Sequence, residues 1–425
     1  MQNTTMRIVC RATLLTAVLL LTPFWAKAQG DDAGLVWPNK ESSANSDEWI
    51  RLHHNRISQM RPRVLVLNFI NGTGNAEAQR KAEALIAAIR ESSRYHGYRD
   101  PKAPPFLDYQ IFKVVSITDP NPLPEAERQD GNSSLYPRVP NWQPGMVNFQ
   151  YNALFSEQFT RHYAVKDAQD TARLIPLDEM INKGMVNEVW FLALQGNFGA
   201  PHPFVEIKQG YDENSRKIKG KWVQAGVGEA KEIIPFGRSL RILYMNGERG
   251  AGCMLETLGL GLEAMASSNA VPYFSQYFTE FAGFDFKKRY KTPFEGIHKR
   301  GEIEVEFPDT NTLLYHVKGE AFAVKNYVAP PGSVRFCPNS RREFEMNNNK
   351  GVLSSIENYR LKNGNGGADK GELFTPAKFT RYQAIAGDCV GPWMVYWRQS
   401  MPGFQNKCTD DMNRPMRNWW PFLFY

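Results

Sequence analysis

Val64-Leu65-Val66-Leu67-Asn68-Phe69, followed by the turn Asn71-Gly72-Thr73-Gly74-Asn75, decides the fold class of this chain. The run is of strand length and is apolar without alternation, as expected for a strand covered on both faces. Beyond the turn, Ala78, Ala82, Leu85, Ile86 and Ile89 recur at helical spacing, with Arg80, Lys81, Glu83 and Arg90 on the opposite face. Residues 109–117 read as a second strand. This β-turn-α-β order favours a parallel sheet.

The same pattern returns downstream. A short helix is predicted over 177–183, with Pro176 suited to its start and Gly184 to its end. Strands follow at 188–194 and 240–245. The second of these runs through Asn246-Gly247-Glu248-Arg249-Gly250-Ala251-Gly252 into a helix carrying Met254, Leu255, Leu258, Leu262 and Met265. The expected fold is therefore α/β: an open, mostly parallel sheet flanked by helices, flavodoxin- or Rossmann-like, over residues 61–299. The Lys-, Gly- and Glu-rich stretch 206–235 reads as an exposed insertion, a hairpin. Residues 120–150 are Pro-rich and irregular, and 29–60 read as a polar lead-in segment. From 300 to 425 the character changes to a β-rich, aromatic lobe, opened by the period-two segment Glu302-Ile303-Glu304-Val305-Glu306. This tail is either a second lobe or a long wrap over the sheet.

The first 28 residues read as an export signal: Arg7 and Arg11, an apolar run from Ala12 to Phe24, then Ala26-Lys27-Ala28 at the cleavage point. The run is too short for a permanent anchor, so a secreted or periplasmic protein without membrane insertion is expected. Removing Arg7, Arg11 and Lys27 lowers the formal charge from +7 to +4. The remaining basic residues are dispersed, so no nucleic-acid partner is expected. Cys253, Cys337, Cys389 and Cys408 remain, an even number that suggests two disulfides with three possible pairings. Cys389 with Cys408 closes the shortest loop and leaves Cys253 with Cys337. A tetrathiolate zinc site would want a C-x-x-C pair, which is missing.

Three glycine-bearing loops follow strands, where ligands bind in open α/β sheets. The first offers Asn71 and Gly72, the second (195–202) offers Asn197 and His202, and the third offers Glu248, Arg249, Gly250 and Gly252. Glycines before a helix leave amide groups for an anion, or simply permit a tight turn and close packing. The spacing G-x-x-G-x-G is neither the dinucleotide fingerprint nor a P-loop, and no cofactor or metal motif is present. Glu248, His202 and Glu256 are the acid/base candidates; the plainer reading of Glu248 is that it stabilises the helix start beside Arg249. Glu256 and Glu263 are seven apart and share a helical face. The acidic group Asp388, Asp410 and Asp411 lacks the alternation of a calcium loop. Trp393, Tyr396 and Trp397 fit one face of a helix, and with Trp419 they are either a sugar-binding platform or packing for the chain terminus.

The run from Glu248 to Leu255, the strand at 188–194 and Arg417-Asn418-Trp419-Trp420 resemble a group of exported bacterial proteins of unknown function. The resemblance implies no activity. It does imply a departure, because in that group histidines stand where Glu256 and Leu260 stand here, so a metal-dependent activity is not expected of this chain. The functional expectation is a hydrolase acting on extracellular glycan or a related polymer. The alternative is a non-catalytic carbohydrate- or envelope-binding protein. Glu248 and His202 around one pocket would favour the first, and an exposed row of Trp393, Trp397 and Trp419 the second. A structural envelope protein fits if neither is seen.

Overall fold

A computed structural model of the chain describes residues 34–121, 124, 131–195, 199–226, 237–292, 303–317, 319–361 and 370–425. The export signal read at 1–28 lies outside them, as does Asn197. The lead-in segment is folded where it is described. Strands β1 (Leu35–Trp37) and β2 (Ile57–Met60) pair in parallel around helix α1 (Ser46–His53). Trp37 is 1% exposed and donates through Nε1 to Ser46 Oγ at 3.0 Å, so its ring is core, not linker.

The decisive apolar run forms β3 (Arg63–Asn68), followed by α2 (Asn75–Ser92) and β4 (Gln110–Ser116). Side chains of β3 alternate between two cores. Val64 and Val66 meet Ala78, Ala82, Leu85 and Ile89 of α2. Leu65 and Leu67 face the other way, against residues of α3 (Glu157–Tyr163) and α4 (Leu177–Asn182). Burial on both sides explains why the run lacks alternation. Strand β5 (Glu188–Ala193) is buried throughout. Next come β6 (Phe204–Tyr211), β7 (Lys217–Gln224) and β8 (Leu240–Asn246).

These six strands form one mixed sheet in the order β4-β3-β5-β8-β6-β7. The β4–β3, β3–β5 and β5–β8 pairs are parallel, whereas β8–β6 and β6–β7 are antiparallel. The protein is thus an α/β fold. The expected exposed hairpin over 206–235 is corrected in part. Strands β6 and β7 do pair as a hairpin and β7 is exposed or half-buried, while 227–235 lie outside the described residues. Every residue of β6, however, is buried between β8 and β7. Its polar residues hid it, because Glu206 and Lys208 are core groups paired with charges. Arg241 donates to Glu206 Oε2 through Nε at 3.0 Å and Nη2 at 2.8 Å, and its Nη1 lies 3.4 Å from Glu188. Lys208 Nζ lies 3.4 Å from Glu206 and donates to the Leu423 carbonyl.

Helix α5 (Ala251–Ser268) lies on the α2 side of the sheet. After α6 (Pro272–Ala282) and α7 (Phe286–Tyr290), strands β9 (Ile303–Glu306), β10 (Leu313–Val317) and β11 (Glu320–Val324) form a small antiparallel sheet. Strands β12 (Val352–Ser354) and β13 (Glu372–Phe374) form another pair. Helix α8 (Gly391–Gln399) is buried on every side. It fits because α5 carries Gly259, where a Cβ would stand 2.9 Å from both Met394 Sδ and Val334 Cγ2. Trp393 and Trp397 are wholly buried, and their indole N–H groups donate to the carbonyls of Ser333 and Gly332. Trp419 is wholly buried as well. The aromatic residues of 393–425 are packing, not an exposed sugar platform.

Candidate functional site

The third loop brings the sequence candidates to the carboxyl end of β8, and its glycines have a specific partner. Gly250, in an extended conformation, is the N-cap of α5, whose first turn carries no acidic residue of its own. The carboxylate comes instead from Asp388. Its Oδ2 accepts the Gly250 amide at 2.7 Å and its Oδ1 accepts the Gly252 amide at 2.8 Å. An anion at a helix start satisfies orphan donors and the positive end of the dipole together. The two amides that the sequence offers to a ligand, those of Gly250 and Gly252, are thus both filled from within the chain. Neither glycine can be replaced without collision. A Cβ at Gly252 would stand 2.1 Å from the Asp388 carbonyl oxygen, and one at Gly250 would stand 2.8 Å from Asp388 Oδ1.

Next to this cap, Cys253 forms a disulfide with Cys389, with Cα atoms 5.0 Å apart across 136 residues of chain. This corrects the expected pairing, and one bridge is present among the described residues instead of two. Asp388 determines the outcome: by docking on α5 it delivers Cys389 to the first turn, where Cys253 stands. Cys337 and Cys408 stay buried thiols. Cys337 contacts Ser340 Oγ at 3.0 Å and Asn339 Oδ1 at 3.2 Å, and burial pushes its pKa up to about 12. The sulfurs of Cys253 and Cys389 and an oxygen of Asp388 lie within 4.8 Å of one another. Both sulfurs are joined and the carboxylate is engaged, so this trio has no lone donor set for a metal.

A cleft of about 360 Å³ opens beside the disulfide. Its wall includes Gln195 from the loop after β5, Tyr244 and Asn246 from β8, Arg249 from the third loop, Glu256, Thr257 and Leu260 from α5, and both Cys253 and Cys389. Glu256 is half-buried and its pKa is raised, first by desolvation, with Asp388 and Glu343 adding like charge and Arg335 opposing. Glu263, two turns further along α5, is raised to about 7 for the same first cause, and its Oε1 accepts the Val334 amide at 2.8 Å.

The remaining candidates lie elsewhere. Glu248 is exposed and lines a separate hollow of about 310 Å³ between α2 and the start of α5, with Arg80, Lys81 and Arg249. Its amide is held by Asn246 Oδ1 at 2.9 Å. The ring of His202 stacks on Tyr151 with centroids 6.3 Å apart, and its carbonyl accepts the Tyr151 hydroxyl. His202 is absent from the cleft wall, although Pro201 and Pro203 belong to it. Glu248 and His202 are thus not brought together around one pocket. Asn71 is buried and ties three segments together: its Nδ2 donates to Asp119 at 2.9 Å and to the Asn132 carbonyl, while its Oδ1 accepts the Asp119 amide. Gly72 has φ +77°, which makes the turn possible.

The chain reverses its path across the sheet between β3 and β5, where a crevice for ligand is expected. Here that crevice is covered by the chain itself. Ser133 donates its amide to Phe69, and Asn132 exchanges two hydrogen bonds with the backbone of Leu194. The open cleft consequently lies one strand further on, at β8. Sequence reading missed Asp388 as the cap. A usable signal was present, since Asp388 directly precedes a cysteine and Cys253 sits in the first turn of a predicted helix with no acidic residue there. The chain matches no protein-family model and no curated protein.

Proposed function

We propose that this chain is an exported protein that takes a segment of extracellular glycan or related polymer into the cleft at the end of β8, and hydrolyses it with Glu256 as proton donor. The observation that carries the reading is Glu256 itself: a half-buried carboxyl with a raised pKa on the wall of a concave site that Gln195, Asn246, Thr257 and Tyr244 also line. A raised pKa keeps a carboxylic acid protonated nearer neutrality, as a general acid requires. The amide and hydroxyl neighbours suit a hydroxyl-rich ligand, and Arg249 adds a positive group. We read β4-β3-β5-β8, with helices on both faces, as the open, doubly wound arrangement expected from the sequence, to which β6 and β7 add an antiparallel edge. Glu248 and His202 drop out of the catalytic group in this reading.

A second reading, non-catalytic binding, is favoured by one fact. Glu256 is the single carboxylate among the described residues of the cleft wall, whereas most glycoside hydrolysis uses two. The test is a hydrolysis and binding screen of the mature protein on neutral and acidic glycans, run beside Glu256→Gln. Turnover that falls by roughly 10² or more in Glu256→Gln, with unchanged melting, supports the hydrolase. Saturable binding without turnover supports the second reading. Neither turnover nor binding on any polymer sinks both.

A further inference from the structure

From the geometry around α5 we infer that the Cys253–Cys389 disulfide is a thiol–disulfide exchange centre that reacts with low-molecular-weight thiols entering the cleft. Both cysteines belong to the cleft wall, and Cys389 is exposed. A disulfide placed for structure alone is normally shielded. The free thiols are by contrast shut away, Cys337 at 3% and Cys408 at 1% exposure. Cys389 also carries φ +48°, a left-handed conformation that a residue with a Cβ adopts at a cost. Cys253 occupies the third residue of an 18-residue helix, where the dipole favours a departing thiolate.

The surroundings make the reaction reversible. The turn carrying Cys389 does not depend on the S–S bond for its position, because Asp388 holds it through the Gly250 and Gly252 amides. It is further fixed by close backbone contact: a Cβ at Gly391 would stand 2.5 Å from the Gly252 Cα. After reduction the two thiols stay near the 5.0 Å Cα separation that the bridge needs. A substrate thiolate attacks Cys389 Sγ, the S–S bond breaks, and its electron pair leaves on Cys253 Sγ, which takes a proton from water. A second substrate thiolate then attacks the substrate sulfur of the mixed disulfide, whose S–S bond breaks with its electron pair leaving on Cys389 Sγ, and Cys389 takes a proton from water. The products are the substrate disulfide and the protein dithiol, so two thiols are oxidised and one protein disulfide is reduced. Run backwards with a small disulfide, the same steps regenerate the bridge. The inference uses the cleft but not the hydrolytic reading, and its test requires no glycan.

The experiment exposes the native, oxidised chain to reduced glutathione, quenches aliquots with an alkylating reagent and maps Cys253, Cys337, Cys389 and Cys408 by mass spectrometry, with circular dichroism in parallel. A glutathione adduct on Cys389, then alkylation of Cys253 and Cys389 at least about tenfold faster than of Cys337 and Cys408, supports the proposal. Alkylation of all four at one rate, or no reduction, overturns it, since the bridge would then open only on unfolding. The position of the adduct on the native chain assigns the attacked sulfur: glutathione on Cys389 with Cys253 alkylated is expected, and glutathione on Cys253 with Cys389 alkylated overturns the assignment.

Discussion

Replacing Arg241 by Met tests whether β6 belongs to the core for the reason given above. Arg241 is 4% exposed, holds Glu206 through two N–H groups at 2.8 and 3.0 Å, and reaches Glu188 at 3.4 Å. The three residues are neighbours across β5, β8 and β6, with Arg241 between the two carboxylates. Burial raises the pKa of Glu188, and Arg241 opposes that rise. Met keeps most of the side-chain volume, so the loss is electrostatic. Glu206 would keep Lys208 at 3.4 Å, and Glu188 would keep the Tyr109 hydroxyl and the Trp190 indole, each at 2.9 Å. Stranding buried charge in this way costs about 3–5 kcal/mol, a large share of an ordinary total stability of roughly 5–15 kcal/mol. Urea unfolding followed by tryptophan fluorescence should show a lower midpoint at unchanged slope. The double variant with Glu206→Gln should recover part of the loss, with a coupling of about 2 kcal/mol. A loss below about 1 kcal/mol, the scale of an exposed pair, would show that water reaches this row and would refute the argument.

Three further substitutions have outcomes fixed by the same structure. The pKa of Glu263 is raised to about 7 from 4.5, so its contribution is fully present below pH 4.5 and is lost as pH rises through 7. His96 is lowered to about 4 from 6.5, so its contribution is present above pH 6.5 and is lost as pH falls toward 4. Thermal melts from pH 4.5 to 8 should therefore show Glu263→Gln gaining on the wild type as pH rises, by about 2–3 kcal/mol, and His96→Asn gaining as pH falls; parallel curves would contradict both. Gly252→Ala should cost on the order of 3 kcal/mol, because its Cβ meets backbone that cannot swing aside; a neutral melting temperature would mean that the 386–391 turn is not held as described.

What was legible in the sequence was whatever obeys a local period. The runs that became β3, β5 and β8 are apolar because both faces of these strands are covered, and α2 and α5 show their apolar stripe within a few turns. Strand β6 was not legible, because its burial is satisfied by charge: a local reading sees Glu206 and Lys208 as solvated, and cannot see Arg241 waiting 35 residues on. The cleft was legible in part. Arg249 and Glu256 line it as the loop and helix pattern implied, but Glu248 points to a different hollow and His202 turns to Tyr151.

The Asp388 cap shows where a motif argument stops. Glycines ahead of a helix announce free amides, and the inference to an anion was sound physics. The anion supplied, however, is a carboxylate 138 residues from Gly250 in the same chain. A helix start is a strong enough site that a protein can use it to dock its own distant segment, and here that docking positions Cys389 against Cys253 and completes one wall of the cleft. The glycines are then required twice, for the amides they present and for the Cβ they lack. A functional site at this helix therefore belongs on the flank that docking leaves open, where Glu256 and the exposed side of the disulfide stand, and not on the helix axis where the glycine pattern pointed.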